Sequence, residues 1–325
     1  MHISQRHLQV AFGVLWLLDG ILQLQPYMFI KGSDGFLGPL SQNTTGAPNP
    51  LTDFLHIVIS LMVAHQIAFT VGIAVVQIGI GVGLFWPRTL RFVLVVSGVW
   101  AIGVWIVGEG VGQLIFPQAS MLSGAPGAAI VYAVLSVVLW PRSGSCWTAS
   151  TRNYLVRWWQ SGAGARMIWA VLWCGTAMLE LESANWAPDA ISAQLHAAAS
   201  GQPGWLARIY HDLSKITAGV GTEIAFGFLV VEFLVGWGIL RPLTRNFSLK
   251  VGIVVSVVLW VTGQGLGGLF TGTSSDPNLG PGVVLFAPAL WAWPVKPVDA
   301  NVDDSGLKIG DSEGYKIESL HKSGC

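Results

Sequence analysis

The 325-residue chain is 52% hydrophobic and only 10% charged, with 17 basic and 17 acidic residues and 16 tryptophans. That composition excludes a disordered chain and an ordinary water-soluble core, and it points to long apolar membrane runs. The charges balance and form no basic cluster, so the expected partner is the lipid bilayer and no nucleic acid.

In chain order, apolar runs cover residues 8–25, 67–86, 92–115, 124–140, 167–184, 217–240, 250–270 and 280–295. Each is roughly 18–22 residues, the length a helix needs to span a bilayer. The first run has no small-residue cleavage site and reads as an uncleaved anchor. With the N-terminus placed in the cytoplasm, the inner segments carry 14 Lys and Arg, among them Arg6, Arg88, Arg91, Arg166, Arg241, Arg245 and Lys250; the outer segments carry three, Lys31, Arg208 and Lys215. The positive-inside rule therefore predicts eight spans with both termini cytoplasmic. Residues 51–65 and 205–216, in the long outer connections, read as interfacial helices.

The chain also says the same thing twice. Trp-Ile-Val-Gly-Glu-Gly-Val-Gly-Gln-Leu over 105–114 returns as Trp-Val-Thr-Gly-Gln-Gly-Leu-Gly-Gly-Leu over 260–269. At the same spacing of 155, Gly81, Pro87, Thr89, Pro126 and Gly127 fall on Gly236, Pro242, Thr244, Pro281 and Gly282, while Leu15-Trp16 pairs with Leu172-Trp173 at 157. A repeat of this length is a duplicated domain. The expected organisation is a first four-helix membrane repeat over 1–140, a cytoplasmic linker over 141–166, a second repeat over 167–295 and a disordered cytoplasmic tail over 296–325. Four spans per half is an even number, so the halves enter the membrane alike, and a pseudo-twofold axis along the membrane normal is expected to relate them.

Polar side chains inside apolar spans are costly and mark candidate sites. The first span carries Asp19, Gln23 and Gln25 where the fifth has Thr176, Glu180 and Glu182; Gln77 stands opposite Glu232, and Glu109 and Gln113 opposite Gln264 and Gly268. Trp16, Asp19 and Gln23 share one helical face, and Trp105, Glu109 and Gln113 form an i, i+4, i+8 stripe. Asp19, Glu109, Glu180 and Glu232 are the candidate proton-relay or catalytic groups, and Trp105, Gln113, Trp260, Gln264 and Gln23 are the candidate substrate-binding groups; a polar pocket open to the outer leaflet is expected, lined by Trp105, Glu109 and Gln113 in the first half and by Trp260 and Gln264 in the second. The other reading is that these acids are buried ties locking helices together. Gly108-x-x-x-Gly112 and Gly263-x-x-x-Gly267 read as small-xxx-small packing motifs of helix interiors.

His56 and His211 are repeat-equivalent, so two imidazoles near a symmetry axis are candidates to share a metal or to ligate haem from both sides. The other reading is an interfacial histidine that bonds a loop carbonyl. The three cysteines, Cys146, Cys174 and Cys325, form no CxxC pair and no disulfide framework.

The segments from Gln77 to Arg88 (QIGIGVGLFWPR) and from Glu232 to Arg245 (EFLVGWGILRPLTR) resemble the second-helix signature of DoxX-like membrane proteins: an acid or amide, a Gly-rich apolar run, then Arg at the inner edge. The resemblance extends over residues 8–295 as two tandem four-helix units. It implies a membrane subunit of a redox system, as in thiosulfate:quinone oxidoreductase, with a partner redox subunit, quinone as cofactor or substrate, and the plasma membrane of a bacterial or archaeal cell as its location. A quinone-linked oxidoreductase subunit, or one binding a small outer-side substrate, is the expected function. A small-solute permease using the duplicated interface, and a scaffold anchoring a partner enzyme, are the alternatives.

Overall fold

A computed structural model describes residues 4–42, 49–141 and 162–291. Most of the expected linker, the whole expected tail, and Cys146 and Cys325 lie outside the described residues. The described residues form twelve α-helices and no strand.

Ser4 opens α1 (Gln5–Leu22) with a capping box: its hydroxyl accepts from the His7 N–H at 3.3 Å, and its own N–H donates to His7 Nδ1 at 3.4 Å. A 3-10 turn at Pro26–Phe29 follows, then α2 (Leu37–Gln42), α3 (Asn49–Ala64), α4 (Gln66–Leu84), α5 (Leu90–Val107) and α6 (Ala128–Val138). The second half runs α7 (Ala163–Leu179), a 3-10 turn at Ser183–Trp186, α8 (Ala190–Ala198), α9 (Gly204–Thr217), α10 (Gly221–Gly238), α11 (Arg245–Val261) and α12 (Leu279–Trp291).

A helix stands at each of the eight apolar runs, and α3 and α9 stand at the two interfacial segments. Among the described residues, only α4, α5 and α10 are both long and apolar enough to cross a membrane; α6, α7, α12 and the Pro50–Ala64 part of α3 are apolar but shorter. Several runs are longer than their helices: α1 ends at Leu22 and α7 at Leu179, short of residues 25 and 184. The run expected over 92–115 stops being helical at Val107.

The duplication holds element by element, with one correction of register. The turn at Pro26–Phe29 matches Ser183–Trp186 at 157, and α3, α4 and α5 match α9, α10 and α11 at 155. But α6 matches α12 at 151, because the loop from Gln113 to Ala128 is four residues longer than that from Gly268 to Leu279. Pro126 is therefore the counterpart of Pro277, and the pairing with Pro281 expected from the constant spacing does not hold.

The same helices pack in both halves: α1 on α4 and α7 on α10, α5 on α6 and α11 on α12, with the halves meeting where α6 lies on α12. Backbones come close at equivalent glycines. A Cβ on Gly81 would stand 2.8 Å from the Gly13 carbonyl oxygen, and one on Gly236 2.8 Å from the Cys174 nitrogen. Equivalent threonines tie the turns below: Thr89 Oγ1 donates to the Gly83 carbonyl at 2.7 Å and Thr244 Oγ1 to that of Gly238 at 2.8 Å. Each half carries an aromatic knot, Phe12–Trp16–Tyr132 with centroids 5.0–6.2 Å apart and Trp169–Trp173–Phe286 with the two measured pairs at 5.4 and 5.6 Å. Large aromatics dominate the area buried in such a core.

Candidate functional site

The repeated Trp/Gly segments build the end of the bundle opposite Arg6, Arg88 and Arg241. They are not helix interiors. Beyond α5, residues Gly110, Val111, Gly112 and Gln113 have φ of 56°, 59°, 63° and 60°; beyond α11, Gly265, Leu266, Gly267 and Gly268 have 57°, 55°, 65° and 65°. Both halves thus make the same left-handed turn, which costs each non-glycine residue roughly 1–2 kcal/mol. Gly112 and Gly267 sit against the carbonyls of Pro126 and Pro277, where any Cβ would collide. The small-xxx-small reading of these glycines is therefore corrected, and the close helix approach is made at Gly81 and Gly236.

The turn also breaks the expected stripe. Glu109 and Gln113 both lie beyond the end of α5, and Gln113 is exposed, so the two do not continue the Trp105 face as one helical stripe. What the turn does is bring the following helix back. The Trp105 indole donates to the Pro126 carbonyl at 2.7 Å, and the Trp260 indole to that of Pro277 at 2.7 Å. Glu109 Oε1 accepts from the Ala129 N–H at 3.0 Å, and Gln264 Oε1 from the Gly280 N–H at 3.2 Å. Ala129 and Gly280 are each the second residue of their helix, so Glu109 and Gln264 satisfy equivalent orphan N–H groups at the starts of α6 and α12.

Asp19, Gln23, Gln77, Glu180 and Glu232 are all buried. In the second half, Glu232 interacts electrostatically with Glu180 and sits beside the Thr176 hydroxyl. In the first half, the Tyr132 hydroxyl lies 3.4 Å from Asp19 Oδ1. Gln25 is partly buried and donates to the Ser274 carbonyl at 3.0 Å, whereas Glu182 is exposed.

The two loops that precede α6 and α12 each reach into the other half. Gln264 Nε2 donates to the Met121 carbonyl at 2.9 Å, and Asn185 Nδ2 to that of Ala119 at 3.0 Å. In return, Asp276 acts electrostatically on both Asp19 and Glu109. Asp276 Oδ1 accepts from the Asn278 N–H at 2.8 Å and Oδ2 from the Ser275 hydroxyl at 2.9 Å. Burial raises the Asp276 carboxyl above the usual carboxylate range, and these two hydrogen bonds oppose the shift. Neither Asp276 nor Tyr132 was singled out from the sequence. Asp276 belongs to a Ser-Ser-Asp-Pro-Asn stretch that reads as an Asx-type turn, and nothing in it announces the long-range approach to Asp19.

Two cavities flank this end. A polar one of about 370 Å³ lies against the left-handed turn of the second half and includes Gln264 and Asp276. Trp105, Glu109, Gln113 and Trp260 do not line it. An apolar cleft of about 310 Å³ lies between α6 and α7, with Leu114 and Pro126 at one part and Thr176 and Leu179 on the facing helix. The loop from Leu114 to Pro126 borders both cavities, because Ser123 lines the polar one.

His56 is exposed on α3. The His211 ring neighbours that of His196, with centroids 4.8 Å apart. Among the described residues, no group of three or more His, Cys, Asp or Glu side chains is placed to hold a metal ion. No protein-family model, curated protein or solved structure matches this chain.

Proposed function

We propose that the chain is a multi-pass membrane protein of the DoxX-like type, with eight spans arranged as two parallel four-helix repeats about a pseudo-twofold axis along the membrane normal. Both termini face the cytoplasm, and the membrane is the plasma membrane of a bacterial or archaeal cell. Its role is that of a membrane subunit in a redox system, binding quinone and receiving electrons from a partner redox subunit.

The observation that carries this reading is the junction between the apolar cleft and the acid pair. Thr176 lines the cleft, with its hydroxyl donating to the Trp173 carbonyl at 3.0 Å, and it interacts with Glu232, which in turn interacts electrostatically with Glu180. The Glu232 carboxyl oxygens and Glu180 Oε1 are buried without a hydrogen-bond partner. An isoprenoid chain suits the apolar walls, and a quinone head at Thr176 would lie next to two carboxyls able to hand over protons. Reduction of the quinone takes two electrons, supplied by the partner, and two protons. At the equivalent place α1 packs on α12, whereas α7 leaves the cleft against α6.

Solvent extraction of the purified protein, followed by chromatography, tests this. The expected result is close to one isoprenoid quinone per chain, sharply reduced in Glu232→Gln and Thr176→Val. Protein that carries no quinone, and takes up none from quinone-loaded vesicles, sinks the proposal.

A further inference from the structure

His196 and His211 take no part in the apolar cleft, and the fold brings them together across two helices. The duplication pairs His211 with His56 in sequence, but in space its ring lies beside that of His196 on α8. Ser214 Oγ of α9 donates to the Ser192 carbonyl of α8 at 2.8 Å. Ser192 stands one turn before His196, and Ser214 about one turn after His211, so this bond fixes the register that sets the two rings against each other. The Tyr210 hydroxyl, next to His211, holds α9 down on the Val261 carbonyl at 2.6 Å. The first half cannot make this pair: Pro39 and Ser41 stand 157 and 155 residues before His196.

The ring centroids are 4.8 Å apart and the planes are tilted by 53°, so the rings are not stacked. A metal ion held at about 2.0–2.1 Å by a ring nitrogen lies about 3.2 Å from that ring's centroid, so two imidazoles on one ion at ligand angles of about 90–110° place their centroids about 4.5–5.2 Å apart. The observed spacing falls inside that window. His196 is exposed, His211 is half-buried, and neither ring makes a hydrogen bond to another described residue. The flanking charges are engaged elsewhere: Arg208 Nε donates to the Gly204 carbonyl at 3.2 Å, and Lys215 pairs with Asp212 at 3.2 Å.

Imidazole nitrogens suit zinc, copper and nickel, whereas magnesium and calcium take oxygen ligands. Among the described residues, no third His, Cys, Asp or Glu side chain joins the pair. Two protein ligands leave the other positions on the ion to water or to a donor atom of a bound molecule. We propose that His196 and His211 form an open two-imidazole site for a divalent transition-metal ion of the zinc class, clamping α8 to α9. The proposal stands whether or not the protein binds quinone.

Equilibrium dialysis of the full chain in detergent against zinc chloride at neutral pH tests it, together with melting curves in the presence and absence of zinc. The expected result is a zinc affinity at least tenfold weaker in His196→Gln and in His211→Gln, with the double variant no weaker than either, and an unchanged affinity in His56→Gln. Zinc should raise the melting temperature of the wild type and of His56→Gln, and magnesium chloride should not. Both paired positions reach the surface, so their variants are expected to melt like the wild type without zinc. Absence of zinc uptake by the wild type up to millimolar concentration, a zinc-induced rise in melting temperature that survives in either single variant, or an equal loss of affinity in His56→Gln would each overturn the proposal.

Discussion

Val131 and Gly282 are counterparts in the two halves, at the spacing of 151 that relates α6 to α12, and they touch each other: a Cβ on Gly282 would lie 3.1 Å from Val131 Cγ1. A residue meets its own equivalent only on an axis of two-fold type, where the interface is isologous. The crossing loops behave in the same way, each giving contacts to the half it does not belong to. Both relations support the two-fold arrangement proposed above.

Gly282→Leu should therefore weaken the contact between the halves. Overpacking at a close helix crossing costs typically 1–3 kcal/mol. Replacing Val131 with Ala makes room, so the double variant should recover at least 0.5 kcal/mol of that loss, the coupling expected of residues in contact. Thermal unfolding in one detergent compares the four proteins. Strict additivity would mean that the two side chains do not meet.

The left-handed turn gives a second prediction, with effects of opposite sign on neighbouring residues. Gly112→Ala and Gly267→Ala place a Cβ against a proline carbonyl at positive φ, and each should cost on the order of 2–4 kcal/mol. Val111→Gly relieves a β-branched residue held at φ 59°, and should be neutral or stabilising by up to about 1 kcal/mol. As a control, Gly103 is inside α5 with nothing within 4 Å of its Cβ position, and Gly103→Ala should stabilise by a few tenths to about 1 kcal/mol. Unfolding midpoints decide the matter, and a destabilised Val111→Gly would argue against the left-handed turn.

Glu109 is an acid whose visible work is structural. The second half does the same work with an amide, since Gln264 accepts from Gly280 as Glu109 accepts from Ala129. Glu109→Gln should therefore fold nearly as well as the wild type, and Glu109→Leu should lose about 1–3 kcal/mol by orphaning the Ala129 N–H. Near-identical melting of the two variants would show that this hydrogen bond contributes nothing to stability.

How much of this was legible in the sequence follows from what each signal measures. Apolar run length located every long helix, because hydrophobic burial and bilayer length leave a one-dimensional trace. The duplication located the equivalent pairs Trp105 and Trp260, Glu109 and Gln264, and Gly112 and Gly267. Glycine was the weak point. Gly-x-x-x-Gly in an apolar run reads as helix packing, yet four consecutive residues with positive φ make it a reversal, and that choice depends on the Pro126 and Pro277 carbonyls contributed from downstream. The slip from 155 to 151 was hidden because Pro126-Gly127 happens to find Pro281-Gly282 at the old spacing. Asp276 was invisible for another reason. Its partners, Asp19 and Glu109, lie in the other half, and no local pattern encodes an approach across the interface.

The Asp276 carboxyl also gives the chain a signed pH dependence. Its value in the folded protein is raised by burial above the unfolded value of about 3.9. A raised acid favours the folded state most when protonated. Its contribution is thus complete below the unfolded value and is lost as pH rises through the folded one. Asp276→Asn cannot ionise, so the melting temperature of the variant relative to the wild type should climb as pH is raised from about 4. A difference that stays flat, or that falls with pH, would falsify the assignment of Asp276 as an acid held above its ordinary range.

The apolar cleft offers the cleanest separation of ligand binding from folding. Gly175 lies on α7, lines the cleft, and has nothing within 4 Å of the position a Cβ would take. A side chain added there projects into space that no protein atom uses. Gly175→Ala should raise helix stability by up to about 1 kcal/mol, since glycine is a poor helix former. Gly175→Phe should keep the fold while filling the cleft. If quinone occupies the cleft, Gly175→Phe should carry at least tenfold less quinone than wild type at an unchanged melting temperature, and Gly175→Ala should carry nearly as much. Full quinone content in a well-folded Gly175→Phe protein would move any quinone away from Thr176 and Glu232, and with it the proposed source of protons.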